Sequence, residues 1–570
     1  MSDENRNLVI AIVVSMVILF GFQYLWSPAP QPVPAQAQVV APQQQPGTMA
    51  VAAVPAPLSR DQALLTQPQR IKIETPRLHG SINLQGAVFD DLTLAEYHET
   101  TNPNSPEIKL LSPLNSKDGY AAEFTWTAQN APGVVVPSST TIWKADRTVL
   151  TPQTPVTLSW NNGQGLTFEQ IISLDDQYMF TITQKVHNST HAPITLAPEG
   201  HISRLDEPVS SGFMILHEGP IGVFDGKLND PSYEDVSSAG ILNNPQAPGW
   251  LGMTDKYWLT ALIPDPKESI TSSFTGNKNG TSKSLGASYV REAKTVGASA
   301  SIEVTNHFFA GAKVLKVLDS YEETLGINHF DLAVDFGWFY FLTKPIFHVL
   351  TYLNALLGNF GLAILALTVL FKAALFPLAN KSYRSMGRMK LLQPQIQKLQ
   401  EQYKDDRMKL NEKMMELYKK EGANPVAGCL PMLVQIPIFF ALYKVLFITI
   451  EMRHAPFYGW IHDLSAPDPT TFFNLFGLIP WTPPSFLMIG AWPLIMGATM
   501  LIQQKMSPPP GDPTQAKVMM LMPVIFTAML AQFPAGLVIY WAWNNFLSMG
   551  QQWLIMKQAS KVKPKAANKK

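Results

Sequence analysis

Two patterns of apolar and polar residues divide the chain. Between Leu58 and about Tyr321 apolar and polar residues alternate in short runs, whereas beyond Asp335 apolar residues gather into long blocks. Alternation with a period of two belongs to half-buried strands. In "LTFEQIISLDDQYMFTITQKVHNST" it puts Tyr178, Phe180 and Ile182 on one face and Met179, Thr181 and Thr183 on the other. Turn-forming clusters such as Asn161-Asn162-Gly163 punctuate the runs. The pattern predicts a large antiparallel β-sandwich over residues 58–325.

The apolar blocks predict membrane spans, because roughly 20 apolar residues cross a hydrocarbon core. Residues 1–26 read as an uncleaved anchor: the block Leu8–Trp26 is long for a signal peptide, and only Arg6 precedes it, beside Asp3 and Glu4. The alternative is a cleaved signal peptide, for which Ala35-Gln36-Ala37 offers a site. Residues 27–57, rich in Pro, Ala and Gln, form an extended tether. Further spans are predicted at 359–379, 428–450, 485–506, 515–532 and 536–556, the last two parted at "QFPAG" because the stretch exceeds one helix. Segment 326–358 is apolar yet carries Lys344, Pro345, His348 and Asn354 among many aromatics. It suits an amphipathic helix lying at the membrane surface. Pro377, Pro425, Pro431 and Pro437 are read as kinks or helix starts.

Charge then orients the chain. The totals balance, 43 Lys+Arg against 43 Asp+Glu, but the distribution is uneven. Loop 380–427 holds eleven Lys and Arg, loop 451–484 only Arg453, and tail 557–570 six lysines without an acid. Positive loops stay in the cytoplasm. Loop 380–427 and the tail are therefore cytoplasmic, which requires the final apolar stretch to cross twice and leaves the short loop 507–514 on the cytoplasmic side as well. The expected fold class is a polytopic α-helical membrane protein with six transmembrane helices and a large β-sandwich domain on the outer side. Within 380–427, Ile396, Leu399 and Tyr403 recur at helical spacing, as do Met408, Asn411, Met415 and Tyr418. This predicts an amphipathic helical hairpin turning at Asp405-Asp406. A single cysteine, Cys429, excludes an internal disulfide and a thiolate metal cluster.

Chemistry concentrates on Lys372, inside the span "ILALTVLFKAALFPLANK". A lysine at the centre of a spanning helix costs roughly 2.5–3.5 kcal/mol. Thr368 adds a polar group one turn before Lys372, and Gln435, Gln504, Asn544 and Asn545 add others in further spans; such groups face a bundle interior or a wet cavity. Each has a structural alternative. Gln435 and the asparagines suit interhelical hydrogen bonds, Lys372 can snorkel to the cytoplasm, and Trp541 can belong to an aromatic belt. A solute transporter or channel is the alternative function, although the chain lacks the internal repeat usual in transporters. A sugar-active enzyme is the other rival, although residues 58–321 hold no acid pair or histidine motif above background.

Several stretches together resemble the YidC family of membrane protein insertases in its Gram-negative form. They are "FDLAVDFGW" (Phe330–Trp338), "GNFG" (Gly358–Gly361), the run from Gln393 to Tyr443, "APFYGWIHDLSAPDP" (Ala455–Pro469), "QKMSP" (Gln504–Pro508) and "MPVIFTAMLAQFPAGLVIYW" (Met522–Trp541). The β-domain matches in outline, including "GWLGMTDKYWLTALIPD" (Gly249–Asp265). The resemblance implies a bacterial inner-membrane protein with cytoplasmic termini and a periplasmic large domain. Nascent membrane proteins would enter a hydrophilic groove of the last five spans, open to cytoplasm and lipid. The work is done alone or with the Sec translocon, without nucleotide, metal, cofactor or catalytic residue. The resemblance places Lys372 and Trp541 in that substrate groove, and the polar residues Thr368, Gln435, Gln504 and Asn544 are expected to line it with them. Most relatives carry arginine where this chain has Lys372; the charge is kept and the planar fork lost. The basic tail and hairpin are expected to meet ribosomes or anionic lipid.

Overall fold

A computed structural model describes residues 58–67, 69–128, 133–207, 216–279, 282–337, 339–403, 406–421, 430–481, 483–484, 487–507 and 513–561. The expected anchor (1–26), the tether (27–57) and the end of the basic tail lie outside the described residues.

Two sheets, of eleven and nine strands among the described residues, face each other and build the front of the molecule. In the smaller sheet Met179–Asn188 lies between Leu166–Leu174 and Ala300–Ala312, antiparallel to both. Phe180, Ile182 and Val186 are buried while Thr181 and Thr183 stay partly exposed, as period two requires. Tyr178 and Met179 are both buried, so the alternation begins only after them. One pair departs from the all-antiparallel expectation: Arg70–Glu74 runs parallel to Val149–Leu150. Aromatic rings fill the space between the sheets, with Phe89 edge-on to Phe180 at 5.2 Å and tilted against Phe308 at 5.4 Å. Side chains also bond across the gap: Gln170 Nε2 donates to the Phe124 carbonyl at 2.7 Å, and Gln184 Nε2 to that of Thr125 at 2.9 Å.

The helices are α1 (Arg60–Leu65), α2 (Tyr233–Ala239), α3 (Leu315–Leu325), α4 (Tyr340–Leu357), α5 (Phe360–Ala374), α6 (Phe376–Gln402), α7 (Arg407–Lys420), α8 (Leu430–Ile448), α9 (Ala491–Met506), α10 (Pro513–Leu530) and α11 (Ala535–Lys561). Among the described residues no single helix is long and apolar enough to cross a membrane. The pair α5 and α6 passes that test together, bent by 68°. The sequence predicts one span over 359–379, and the structure breaks it at Leu375 (φ −88°, ψ 2°). Pro377 explains the break. Within an unbroken helix it would lack an N–H for the carbonyl four residues back and its ring would clash there, whereas at the second position of α6 neither matters.

The pair α6 and α7 also differs in detail from its prediction. α6 and α7 meet near Asp406, whose carboxylate caps α7 by accepting from the Lys409 N–H at 3.0 Å. Leu392 and Tyr418 pack together with Met389, Ile396 and Met414. Met408 and Met415, expected on the packed face, point outward at 85 % and 61 % exposed. α9 and α10 approach closely at Gly497, where a Cβ would stand 2.1 Å from Thr527 Oγ1.

A charged seam joins the sheets to the helices. Asp335 accepts from Lys444 Nζ of α8 at 2.8 Å and from the His217 N–H at 3.0 Å. Lys344 of α4 bonds Asp331 at 2.6 Å and Asp319 at 3.3 Å, and Asp331 also accepts from the Tyr340 hydroxyl. Burial opposes the Lys344 charge, but the hydrogen bond to Asp331 and the surrounding acids outweigh it and raise its pKa. Arg453 donates to the His98 carbonyl at 2.6 Å, and Lys256 Nζ sits 3.7 Å from the Phe447 ring centroid.

Candidate functional site

Helix α11 is the hub, touching α5, α6, α8 and α9. Tyr540, Asn544, Ser548 and Gln552 follow one another at intervals of four, so they form one stripe along its surface. At 1.5 Å per residue the stripe is about 18 Å long. Lys372 Nζ of α5 donates to Ser548 Oγ at 2.7 Å, and the Ser548 hydroxyl donates to the Asn544 carbonyl at 2.8 Å. Three turns from Gln552, Gln435 Nε2 of α8 donates to the Tyr540 hydroxyl at 2.5 Å. The stripe therefore links two residues that the sequence places in different spans, Lys372 and Gln435.

The stripe is incompletely satisfied. Asn544 Oδ1 and both side-chain polar atoms of Gln552 are buried without a hydrogen-bond partner among the described residues. Each such group costs about 1–3 kcal/mol when nothing pairs with it. Asn544 and Gln552 thus present free polar atoms on either side of Ser548, whose hydroxyl is the neutral hydrogen-bond acceptor of Lys372. Water or an extended polypeptide can use them. The adjacent Trp541 packs its ring against Phe439 at 4.7 Å and Phe526 at 5.6 Å, giving the stripe an aromatic flank.

The other candidates are placed differently. Thr368 is buried and its hydroxyl donates to the Ile364 carbonyl of its own helix at 2.7 Å, so its one proton is committed within α5. Gln504 is half-buried near the end of α9, away from the stripe's hydrogen bonds. Asn545 turns to the opposite neighbour and donates to Thr499 Oγ1 of α9 at 3.2 Å, the interhelical bond that was its structural alternative. Sequence reading does not single out Tyr540, Ser548 or Gln552, although their spacing within "YWAWNNFLSMGQQ" carries the signal. In the β-domain a cleft of about 820 Å³ is lined by Asp265, Glu268, Arg291 and Glu292, but Arg291 is already held by Glu268 and Asn306.

Comparison with known proteins gives a consistent result. The family described as the 60Kd inner membrane protein matches residues 352–563, and that described as the YidC periplasmic domain matches 70–349. A membrane protein insertase YidC of Granulibacter bethesdensis is 50 % identical over 577 residues, covering 99 % of this chain and 100 % of that one. The protein of the same name from Methylorubrum extorquens is 47 % identical, covering 98 % and 96 %. Among solved structures, an active YidC insertase with its first transmembrane domain resolved is 17 % identical, with a TM-score of 0.34, covering 84 % of this chain and 90 % of that one. A galactose mutarotase-like protein from Lactobacillus casei is 12 % identical, with a TM-score of 0.25, covering 42 % and 99 %. At these scores neither structure bears on the fold.

Proposed function

The chain belongs to the YidC family of membrane protein insertases, and we propose that nascent membrane proteins pass along the polar stripe of α11, between Lys372 and Gln435. The observation that carries this reading is the partly unpaired series Tyr540, Asn544, Ser548 and Gln552, all buried except the half-buried Asn544, with the Lys372 ammonium hydrogen-bonded into it. A polar tail of the substrate takes up those free hydrogen bonds, and Lys372 attracts its acidic residues. The apolar segment that follows moves sideways into lipid, driven by burial at roughly 25 cal/mol per Å². Trp541 lines the path; Gln504 stands at its rim and Thr368 supports the helix behind it.

In this reading the chain crosses the inner membrane six times, with both termini cytoplasmic and the β-domain periplasmic. The lysine-rich hairpin and tail, with their outward-facing Met408 and Met415, are the surfaces for ribosome or anionic lipid, and the Sec translocon is an optional partner. The parity of positive loops supports this topology.

The test is substitution at Lys372. Lys372→Arg is expected to retain insertion, whereas Lys372→Ala impairs it for substrates with acidic tails. Full activity of the alanine variant on every such substrate rejects the role of the charge. Photo-crosslinkers at Gln435 and Trp541 are expected to trap a stalled nascent chain, while one at Met415 on the hairpin's outer face does not capture its translocating tail.

A further inference from the structure

The loop between α8 and α9, periplasmic in the proposed topology, carries a dense run of exposed apolar residues. Phe472, Phe473, Leu475, Phe476, Leu478 and Trp481 fall within ten residues and all are exposed, Leu478 to 84 %. No charged residue occurs from Pro469 to Gln504. Monomeric water-soluble surfaces rarely expose contiguous apolar patches of this kind.

The base of the loop is fixed. Buried Asp468 accepts from the Trp460 indole N–H at 3.1 Å, the Thr470 hydroxyl at 2.7 Å and the Trp492 N–H at 2.9 Å. Thr470 Oγ1 in turn accepts from the Ala491 N–H at 3.0 Å, and the Phe472 N–H reaches the Ile489 carbonyl at 3.0 Å. Gly490 permits this contact, since a Cβ there would lie 2.5 Å from Asp468 Cγ. The base of the loop is thereby held at the first turn of α9.

We propose that this loop is a lipid-binding wedge whose tip, residues 472–481, inserts among the acyl chains of the outer leaflet. The proposal rests on the topology given above. Two observations favour lipid over a protein partner. The apolar surface continues onto the exposed flank of α9, at Leu494, Ile495, Leu501 and Ile502, which faces lipid if α9 spans. The stretch from Pro469 to Gln504 also supplies no charged residue to the polar rim that a protein interface carries, while Phe and Trp suit the bilayer boundary.

The full chain, with Cys429→Ser as background, is reconstituted in phosphatidylethanolamine and phosphatidylglycerol vesicles. Nitroxides are attached at Leu478→Cys and Phe473→Cys, with exposed Glu303→Cys in the β-domain as reference. At both loop sites the ratio of oxygen to nickel-chelate collisions is expected to exceed the Glu303 ratio several-fold. Free access of the nickel chelate overturns the proposal, and shielding from both reagents does so too, because it signals a protein contact. Sidedness is tested separately with an impermeant maleimide at Glu303→Cys and His462→Cys. Labelling from opposite faces overturns the topology itself, whatever the nitroxides report.

Discussion

Gln552 is the most informative single residue of the stripe, because its side chain is fully buried and both of its polar atoms lack partners among the described residues. A purely structural role predicts that an apolar replacement helps, since removing unpaired buried groups recovers about 1–3 kcal/mol. A role in passing substrate predicts that the same replacement harms transport. Gln552→Leu is therefore expected to resist thermal unfolding in detergent better than the parent chain while inserting a test substrate more slowly. Faster or unchanged insertion removes Gln552 from the path. Thr368 provides the contrast. Its hydroxyl proton is committed to the Ile364 carbonyl within its own helix, so Thr368→Val is expected to leave insertion unchanged, as measured in the same assay.

At the scale of elements, the bend at Leu375 decides where the charge of Lys372 lies. Lys372 is in the last turn of α5, one turn before the 68° turn into α6. A straight helix would carry α6 on in line with α5 and pull Tyr383 and Met386 out of their packing with Ile555 of α11. Pro377→Ala is expected to straighten the pair, lengthening the distance between spin labels at Val369 and Leu391. An unchanged distance assigns the bend to packing instead. Much of this was legible beforehand: Pro377 reads as a kink, period two marks the strand Met179–Asn188, and "QFPAG" separates α10 from α11. What was not legible depended on partners distant in sequence. The parallel pairing of Arg70–Glu74 with Val149–Leu150 leaves no local trace. The outward turn of Met408 and Met415 follows from which face of α7 meets Leu392, which periodicity alone does not specify. Among the site residues, Lys372 and Gln435 announced themselves as polar groups in apolar runs. Thr368 did so equally, and only its hydrogen bond separates it from them.

For the whole molecule, the seam between sheets and helices determines whether the periplasmic domain moves with the insertase bundle or apart from it. The seam holds groups that burial disfavours as ions. Glu451, with Oε2 closed off and unpartnered, has its pKa pushed up to about 7 from 4.5. Burial also lowers Lys256 and Lys313 to about 8 from 10.5. The signs oppose one another. The folded state holds the Glu451 proton more tightly than the unfolded chain, so the seam loses stability as pH rises from about 4.5 to 7. The folded state releases the lysine protons more readily, so stability returns as pH rises from about 8 to 10.5. Between those windows both penalties are at their largest, and the domain is held least firmly near neutral pH. Glu451→Gln removes the first penalty alone. It is expected to stabilise the docked domain at pH 8 by on the order of 1–3 kcal/mol, and to have no such effect at pH 4, where the carboxyl is already protonated in both states. Hydrogen exchange of the Leu315–Leu325 helix, followed at both pH values, reads the difference. Equal protection gained at both would mean that the substitution acts through packing, and the ionisation of Glu451 would then have no part in holding the two halves together.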